Sequence, residues 1–161
     1  VDRKPHIVYN TLKSPFGALY LVFSGNRLAE IQFGGQPPPY PRGKVPELFK
    51  EQMTKYFNGA LREFTQGIVF LQGTDFEQAV WLCLRAVPYG ETRTYKWVAE
   101  RVGNPKAVRA VGQALSRNPI PIVLPCHRII ESDGSIGGYS SGVDIKRRLL
   151  DLEYYTAESR R

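Results

Sequence analysis

Sulfur and imidazole are scarce in this chain. Its 161 residues hold two cysteines, Cys83 and Cys126, two histidines, His6 and His127, and one methionine. So few cysteines exclude a disulfide-knit scaffold, and a bridge between the two is not expected in a reducing cytosol. No CxxC or HxxxH spacing is present, so neither a metal site nor another cofactor is expected. Long apolar runs are missing as well. No segment approaches the roughly 18 apolar residues that cross a bilayer, and no basic-then-apolar leader is visible. The expectation is a soluble, cytoplasmic protein with no membrane partner.

What the chain has is enough apolar material for one domain or two small ones, with 42% hydrophobic residues. It also has a net charge of +7 and a pI near 9.5, which favours a polyanionic partner. The excess is local. Arg85, Arg93, Lys96, Arg101, Lys106, Arg109, Arg117 and Arg128 are opposed in their stretch by Glu91 and Glu100 alone.

The first half alternates like β-structure. "HIVYNTL", "ALYLVFS" and "LAEIQFG", separated by "SPFG" and "GNR", predict a three-stranded antiparallel meander over residues 7 to 33. The proline-rich "GGQPPPYPRGKVP" predicts an irregular connector. "ELFKEQMTKYFNG" predicts a helix with Leu48, Met53, Tyr56 and Phe57 towards one side. "EFTQGIVFLQG" reads as a further extended piece.

The second half changes character. Thr74 and Glu77 have capping-box spacing, and Phe76, Ala79, Val80, Cys83, Leu84 and Val87 then follow a helical stripe. Cys83 lies on that stripe and reads as a small core residue. "TYKWVAERV", capped by Thr94 and stopped by Gly103, predicts a second helix. "NPKAVRAVGQALSRN" predicts a third, with Asn104 at the cap, Pro105 at the first helical position and Val108, Val111 and Leu115 inside. Together the last two fit a helix-turn-helix. Arg109, Gln113 and Arg117 share another face beside Lys106 and Ser116, while Ala107, Ala110, Gly112 and Ala114 keep the helix slim. The fold class is therefore α+β: an α/β domain over 1–75, then a mainly helical domain over 76–161.

The segment "IVLPCHRII" reads as a buried strand interrupted by Pro125, which cannot donate to a ladder, and by Cys126, His127 and Arg128. A free thiol ionises near pH 8.5, so a nucleophilic Cys126 needs a base or a positive field. His127 can be that base, directly or through a water. A final helix beginning near Ser141 and Asp144 turns Ile145, Leu149 and Leu152 inward, and Glu153 shares their face. A carboxylate there either escapes by fraying at the helix end or meets a donor inside, and His127 and Arg128 are the basic groups embedded in an apolar run. Cys126, His127 and Glu153 then satisfy the nucleophile–base–orienter pattern.

"PCHR", preceded by "NPIPIVL" and followed by "GGYSSG" and "KRRLLDLE", resembles the O6-alkylguanine-DNA alkyltransferase (methylated-DNA–protein-cysteine methyltransferase) family. So does "VPYGETRTYKWVAERVGNPKAVRAVGQALSRNPIPI"; the likeness is near-continuous from Phe76 to Glu153. It implies DNA repair by irreversible, stoichiometric transfer of an alkyl group from O6 of guanine to Cys126, on double-stranded DNA bound through its minor groove, by a monomer without cofactor. It implies that His127, through a water, deprotonates Cys126, that Glu153 orients His127, and that Tyr95 donates to the leaving base. Arg109 would fill the stack left by the extruded nucleotide, with Thr94, Lys106, Ala107, Gln113 and Ser116 also on the DNA side. Asn118 would hold the turn before the active-site segment, and Ile136, Tyr139 and Ser140 would line the base pocket. Arg128 is expected to hold the turn rather than to do chemistry. The chain departs from the family at Ile130, where valine is common, and at Tyr154–Tyr155, where glycine is frequent; the zinc ligands of some members are absent.

Other readings compete with this one. A non-catalytic damage sensor of the alkyltransferase-like kind lacks the acceptor cysteine, which this chain has. A helix-turn-helix regulator explains Arg109 and Lys106 but neither "PCHR" nor Glu153. A cysteine hydrolase wants an oxyanion hole, and Pro125 removes one backbone donor.

Overall fold

The structure, a computed structural model, describes residues 6–159 and divides into two compact units, one ending at Leu71 and the other beginning at Gln72. In the first unit, β1 (Ile7–Ser14), β2 (Gly17–Ser24) and β3 (Arg27–Phe33) form an antiparallel three-stranded sheet with β2 in the middle. Leu19, Leu21, Val22 and Phe23 of β2 are fully buried. α1 (Glu47–Phe57) packs Phe49 edge-on to Phe23, ring centroids 5.7 Å apart, with Met53 and Tyr56 buried one and two turns on. Leu48, expected on the inner side, is 63% exposed. Phe49 sets the phase of the helix, because its ring has an aromatic partner in the sheet. The connector is irregular except at Arg42, which bridges Tyr9 in parallel.

The second unit carries α2 (Asp75–Cys83), β4 (Arg93–Thr94), α3 (Tyr95–Arg101), α4 (Val108–Ser116), β5 (Ile129–Ile130) and α5 (Val143–Ser159). Both halves of the Thr74–Glu77 capping box form. Val80, Leu84 and Val87 are buried, but Ala79 is exposed and Cys83 only half-buried, which corrects its reading as a core residue. Trp81 takes the core instead, and its indole N–H donates to the Ala114 carbonyl at 2.7 Å. That bond satisfies the one polar atom the ring brings inside and ties α2 to α4.

Thr94 caps α3 by accepting from the Trp97 N–H at 3.0 Å. The next helix starts later than expected. Asn104 and Pro105 lie in a turn closed by the Ala107 N–H on the Asn104 carbonyl, and α4 begins at Val108 with Ala107 as its cap. Val111, Ala114 and Leu115 are buried, while Val108 is 40% exposed. α4 packs on α2 and α3, so its opposite face, with Arg109, Gln113, Ser116 and Arg117, is exposed.

The largest departure concerns "IVLPCHRII". Residues 119–125 form turns rather than a strand, with Ile122 at φ +74°. Pro119, Pro121 and Pro125 leave three of these seven residues without an N–H, so no continuous ladder can be built. Only Ile129 and Ile130 make a strand, pairing in parallel with Arg93 and Thr94. In α5 the buried residues are Lys146, Leu149 and Glu153; Ile145 and Leu152, expected inside, are only partly covered. No helix among the described residues is long and apolar enough to cross a membrane.

Candidate active site

The turns of residues 119–125 end in a 3₁₀ turn, Cys126–Arg128, whose tight winding sends successive side chains in different directions. Cys126 goes to a cleft of about 310 Å³, lined also by Tyr95, Gly112, Leu115, Ser116, Gly138, Tyr139 and Ser140. That volume falls at the lower end of the range for small-molecule sites, roughly 300–1,000 Å³. The thiol is buried, 7% exposed. Burial pushes its pKa up, and the Asn118 amide, the Tyr139 hydroxyl and the Lys146 charge pull it part of the way back. Asn118 does not line the cleft. It donates to the Leu124 carbonyl at 2.8 Å and accepts from the Ile120 N–H at 3.0 Å, and so braces the turn from inside.

His127 does not line the cleft and is fully buried. Its Nε2 lies 2.7 Å from Glu153 Oε2. Arg128 grips the same carboxylate with Nε to Oε1 at 2.7 Å and Nη2 to Oε2 at 2.9 Å, and its Nη1 donates to the Val87 carbonyl at 2.9 Å. Burial by itself would raise the Glu153 pKa, but His127 and Arg128 hold the carboxyl well below the usual range. An ionised carboxylate only accepts, so Nε2 carries the imidazole proton and Nδ1 presents a lone pair. That Nδ1 is buried and has no hydrogen-bond partner among the described residues. Burial lowers the His127 pKa despite the pull of Glu153, so the ring is neutral and able to take up a proton.

Tyr95 stands at the start of α3, where the β4–β5 pairing brings it to the cleft beside the Cys126 turn. Burial, with Glu131 and Cys126 nearby, raises its phenol pKa, while a backbone hydrogen bond from Gly138 opposes. At Gly137, φ +74°, a Cβ would come within 2.8 Å of the Tyr95 hydroxyl, so the chain needs glycine there.

The structure thus gathers Cys126, Tyr95, Tyr139 and Ser140 on one cleft and sets His127 and Glu153 behind it. Ser116 lines the cleft as well as sharing the exposed face of α4 with Arg109 and Gln113. Lys106 is exposed in the turn before α4, and Thr94 and Ala107 act as caps. Ile136 is elsewhere: it lines a separate cleft of about 560 Å³ with Thr92, Ile130, Leu150 and Tyr154. Tyr154 and Tyr155 are exposed and α5 continues past them, so they do not rim the Cys126 cleft. Sequence reasoning missed Gly112, Leu115 and Gly138 as lining, and Lys146 altogether. The signal for Lys146 was its position seven residues before Glu153, on the stripe of Leu149.

Comparison with known proteins gives two family matches: the 6-O-methylguanine DNA methyltransferase DNA binding domain over residues 75–155, and the ribonuclease-like domain of the same family over residues 7–69. A methylated-DNA–protein-cysteine methyltransferase of Methanosarcina barkeri is 43% identical over 152 residues, covering 90% of this chain and 96% of the relative. The crystal structure of a Mycobacterium tuberculosis O6-methylguanine methyltransferase superposes with a TM-score of 0.85 at 39% identity, covering 93% of this chain and 94% of that one. A structure of the M. tuberculosis protein OGT in complex with DNA gives 0.87 at 40% identity, covering 92% and 93%.

Proposed function

This chain belongs to the 6-O-methylguanine DNA methyltransferase family, and we propose that it repairs O6-alkylguanine in duplex DNA by taking the alkyl group onto Cys126. The observation that carries this assignment of the acceptor is a thiol on a cleft with a neutral imidazole, an ionised carboxylate and a guanidinium stacked behind it.

O6 of guanine is inaccessible within a stacked pair, so the damaged nucleotide must leave the helix to reach Cys126. α4 lies in the minor groove, where Ala107, Ala110 and Gly112 permit close approach, and Arg109 takes the place of the extruded base. Lys106, Gln113, Ser116 and Thr94 complete the contacts along that side. Tyr139 and Ser140 line the base pocket, and Asn118 keeps the turn beneath it in place.

His127 Nδ1 removes the Cys126 proton through a bridging water, and Glu153 with Arg128 stabilises the imidazolium that results. The thiolate attacks the alkyl carbon; the S–C bond forms as the C–O6 bond breaks, and its electron pair returns to guanine. Tyr95 donates a hydrogen bond or proton to the guanine as charge develops. The thioether does not revert, so each monomer acts once.

Incubation with duplex DNA containing O6-methylguanine tests the assignment. The peptide carrying Cys126 should gain one methyl group, and Cys126→Ala should gain none while still binding DNA. Binding without methyl transfer by the unaltered protein would overturn it in favour of a damage sensor.

A further inference from the structure

Lys146 is the one lysine among the buried residues of the described chain, 1% exposed on the inner face of α5. An ammonium in such a place costs several kcal/mol unless it is compensated. Its Nζ donates to the Ile129 carbonyl at 2.6 Å and the Gly138 carbonyl at 3.1 Å, and it stands 5.8 Å from the centre of the Tyr95 ring. Two of its N–H groups are thereby spent on carbonyls and the third faces an aromatic π cloud, which together satisfy the cation. Those anchors have a pattern. Ile129 follows directly on the Cys126–Arg128 turn, Gly138 lines the cleft, and Tyr95 is the proposed donor to the leaving base.

The charged and titratable groups around Lys146 come from several elements. Cys126 and Glu131 favour its charged form, and in return Lys146 favours the thiolate of Cys126. Lys146 also opposes protonation of His127. Tyr95 of α3 faces it with its ring, and Glu153 on its own helix is held by His127 and Arg128. Since Arg128 is committed to Glu153 and His127 is neutral, the cation whose field reaches the sulfur is Lys146.

We propose that Lys146 is a positioning residue for alkyl transfer: its buried ammonium pins the Gly138 wall of the cleft to β5 beneath Tyr95 and supplies the positive field under which Cys126 becomes a thiolate. The inference rests on Cys126 being the acceptor and adds the device that activates it. Burial brings the Lys146 pKa down to about 8, so its charge is present at neutral pH and lost in mildly alkaline solution. An ordinary cysteine nucleophile reacts faster as pH rises. Here the rate should rise, level off and then decline above about pH 8. This decline is not unfolding, because a lysine whose pKa is lowered by folding opposes the folded state most at neutral pH and less as pH rises from about 8 towards 10.5.

The test is the single-turnover rate of methyl transfer to Cys126 across pH 6 to 10, measured by peptide mass for the unaltered protein, Lys146→Met and Lys146→Arg. Lys146→Met should be slower at pH 7 by about tenfold or more, because less of the thiol is ionised without the lysine charge, and should lack the alkaline decline. Lys146→Arg, with a charge that does not titrate, should keep more of the neutral rate than Lys146→Met and also lack the decline. Where either variant fails to fold, an NMR titration of the lysine ε-methylene signals in the unaltered protein decides: one resonance should titrate near pH 8 and shift in Cys126→Ser. A rate that climbs through pH 9 in the unaltered protein, or a Lys146→Met profile merely scaled down with its shape intact, would overturn the proposal. Absence of any methyl on Cys126 would instead sink the acceptor assignment, so the two failures are distinguishable.

Discussion

A carboxylate that is 1% exposed, as Glu153 is, is tolerable because both oxygens are met, one by Arg128 and the Gly90 N–H and the other by Arg128 and His127. Replacing it with Gln leaves the Arg128 charge buried without its partner, so Glu153→Gln should lose about 3–5 kcal/mol of stability, checked by urea denaturation. The same cluster sets a pH dependence. His127 is held neutral below its ordinary pKa of 6.5, so the unfolded chain binds its proton first and stability falls as pH drops through about 6.5. Glu153 is depressed below 4.5, which adds a second loss as pH falls further. Denaturation midpoints between pH 8 and 3 should show both; a flat profile down to pH 5 would contradict the neutral imidazole. That His127 and Glu153 meet was legible from polar residues standing where apolar neighbours made them costly, whereas Arg128, expected to hold the turn, spends its guanidinium on Glu153 and the Val87 carbonyl. Lys146 was missed. Within "KRRLL" a lysine reads as solvent-facing despite its place on the stripe of Leu149 and Glu153, and the fold shows the two carbonyls that receive it.

Among the elements, α4 couples the interior to the exposed basic face. Its buried side, Val111, Ala114 and Leu115, is fixed on α2 by the Trp81 bond, and this leaves Arg109 outward. Arg109→Ala should therefore slow repair in duplex DNA by about tenfold or more, each 1.4 kcal/mol of lost support for extrusion being one factor of ten. Reaction with a free O6-alkylguanine base should change little, and equal losses on both substrates would argue against the stacking role. The meander, the capping box and the helix-turn-helix were readable from periodicity and end signals. Two errors have physical causes. An apolar run looked like a strand although Pro119, Pro121 and Pro125 deny it a ladder, and α4 starts after Pro105 because Asn104 and Ala107 close a turn first. The phase of α1 depended on an aromatic partner in the sheet, which no local pattern encodes.

For the whole molecule, the charge of +7 and the basic stretch around α3 and α4 make DNA affinity strongly salt-dependent. Each phosphate contact contributes a slope of about −0.9 in log K against log salt, so Lys106→Ala should flatten the slope by roughly one unit with little change in lesion preference. The chain has a second thiol that serves as an internal control. Burial pushes Cys83 up to about 11, and it lies off the cleft that Cys126 lines. The most direct measurement titrates the protein with an excess of duplex DNA bearing isotopically labelled O6-methylguanine and locates the label by peptide mass. Transfer should stop at one methyl per protein, all of it on Cys126 and none on Cys83. Continued turnover, label on Cys83, or release of the methyl group to water would contradict the account.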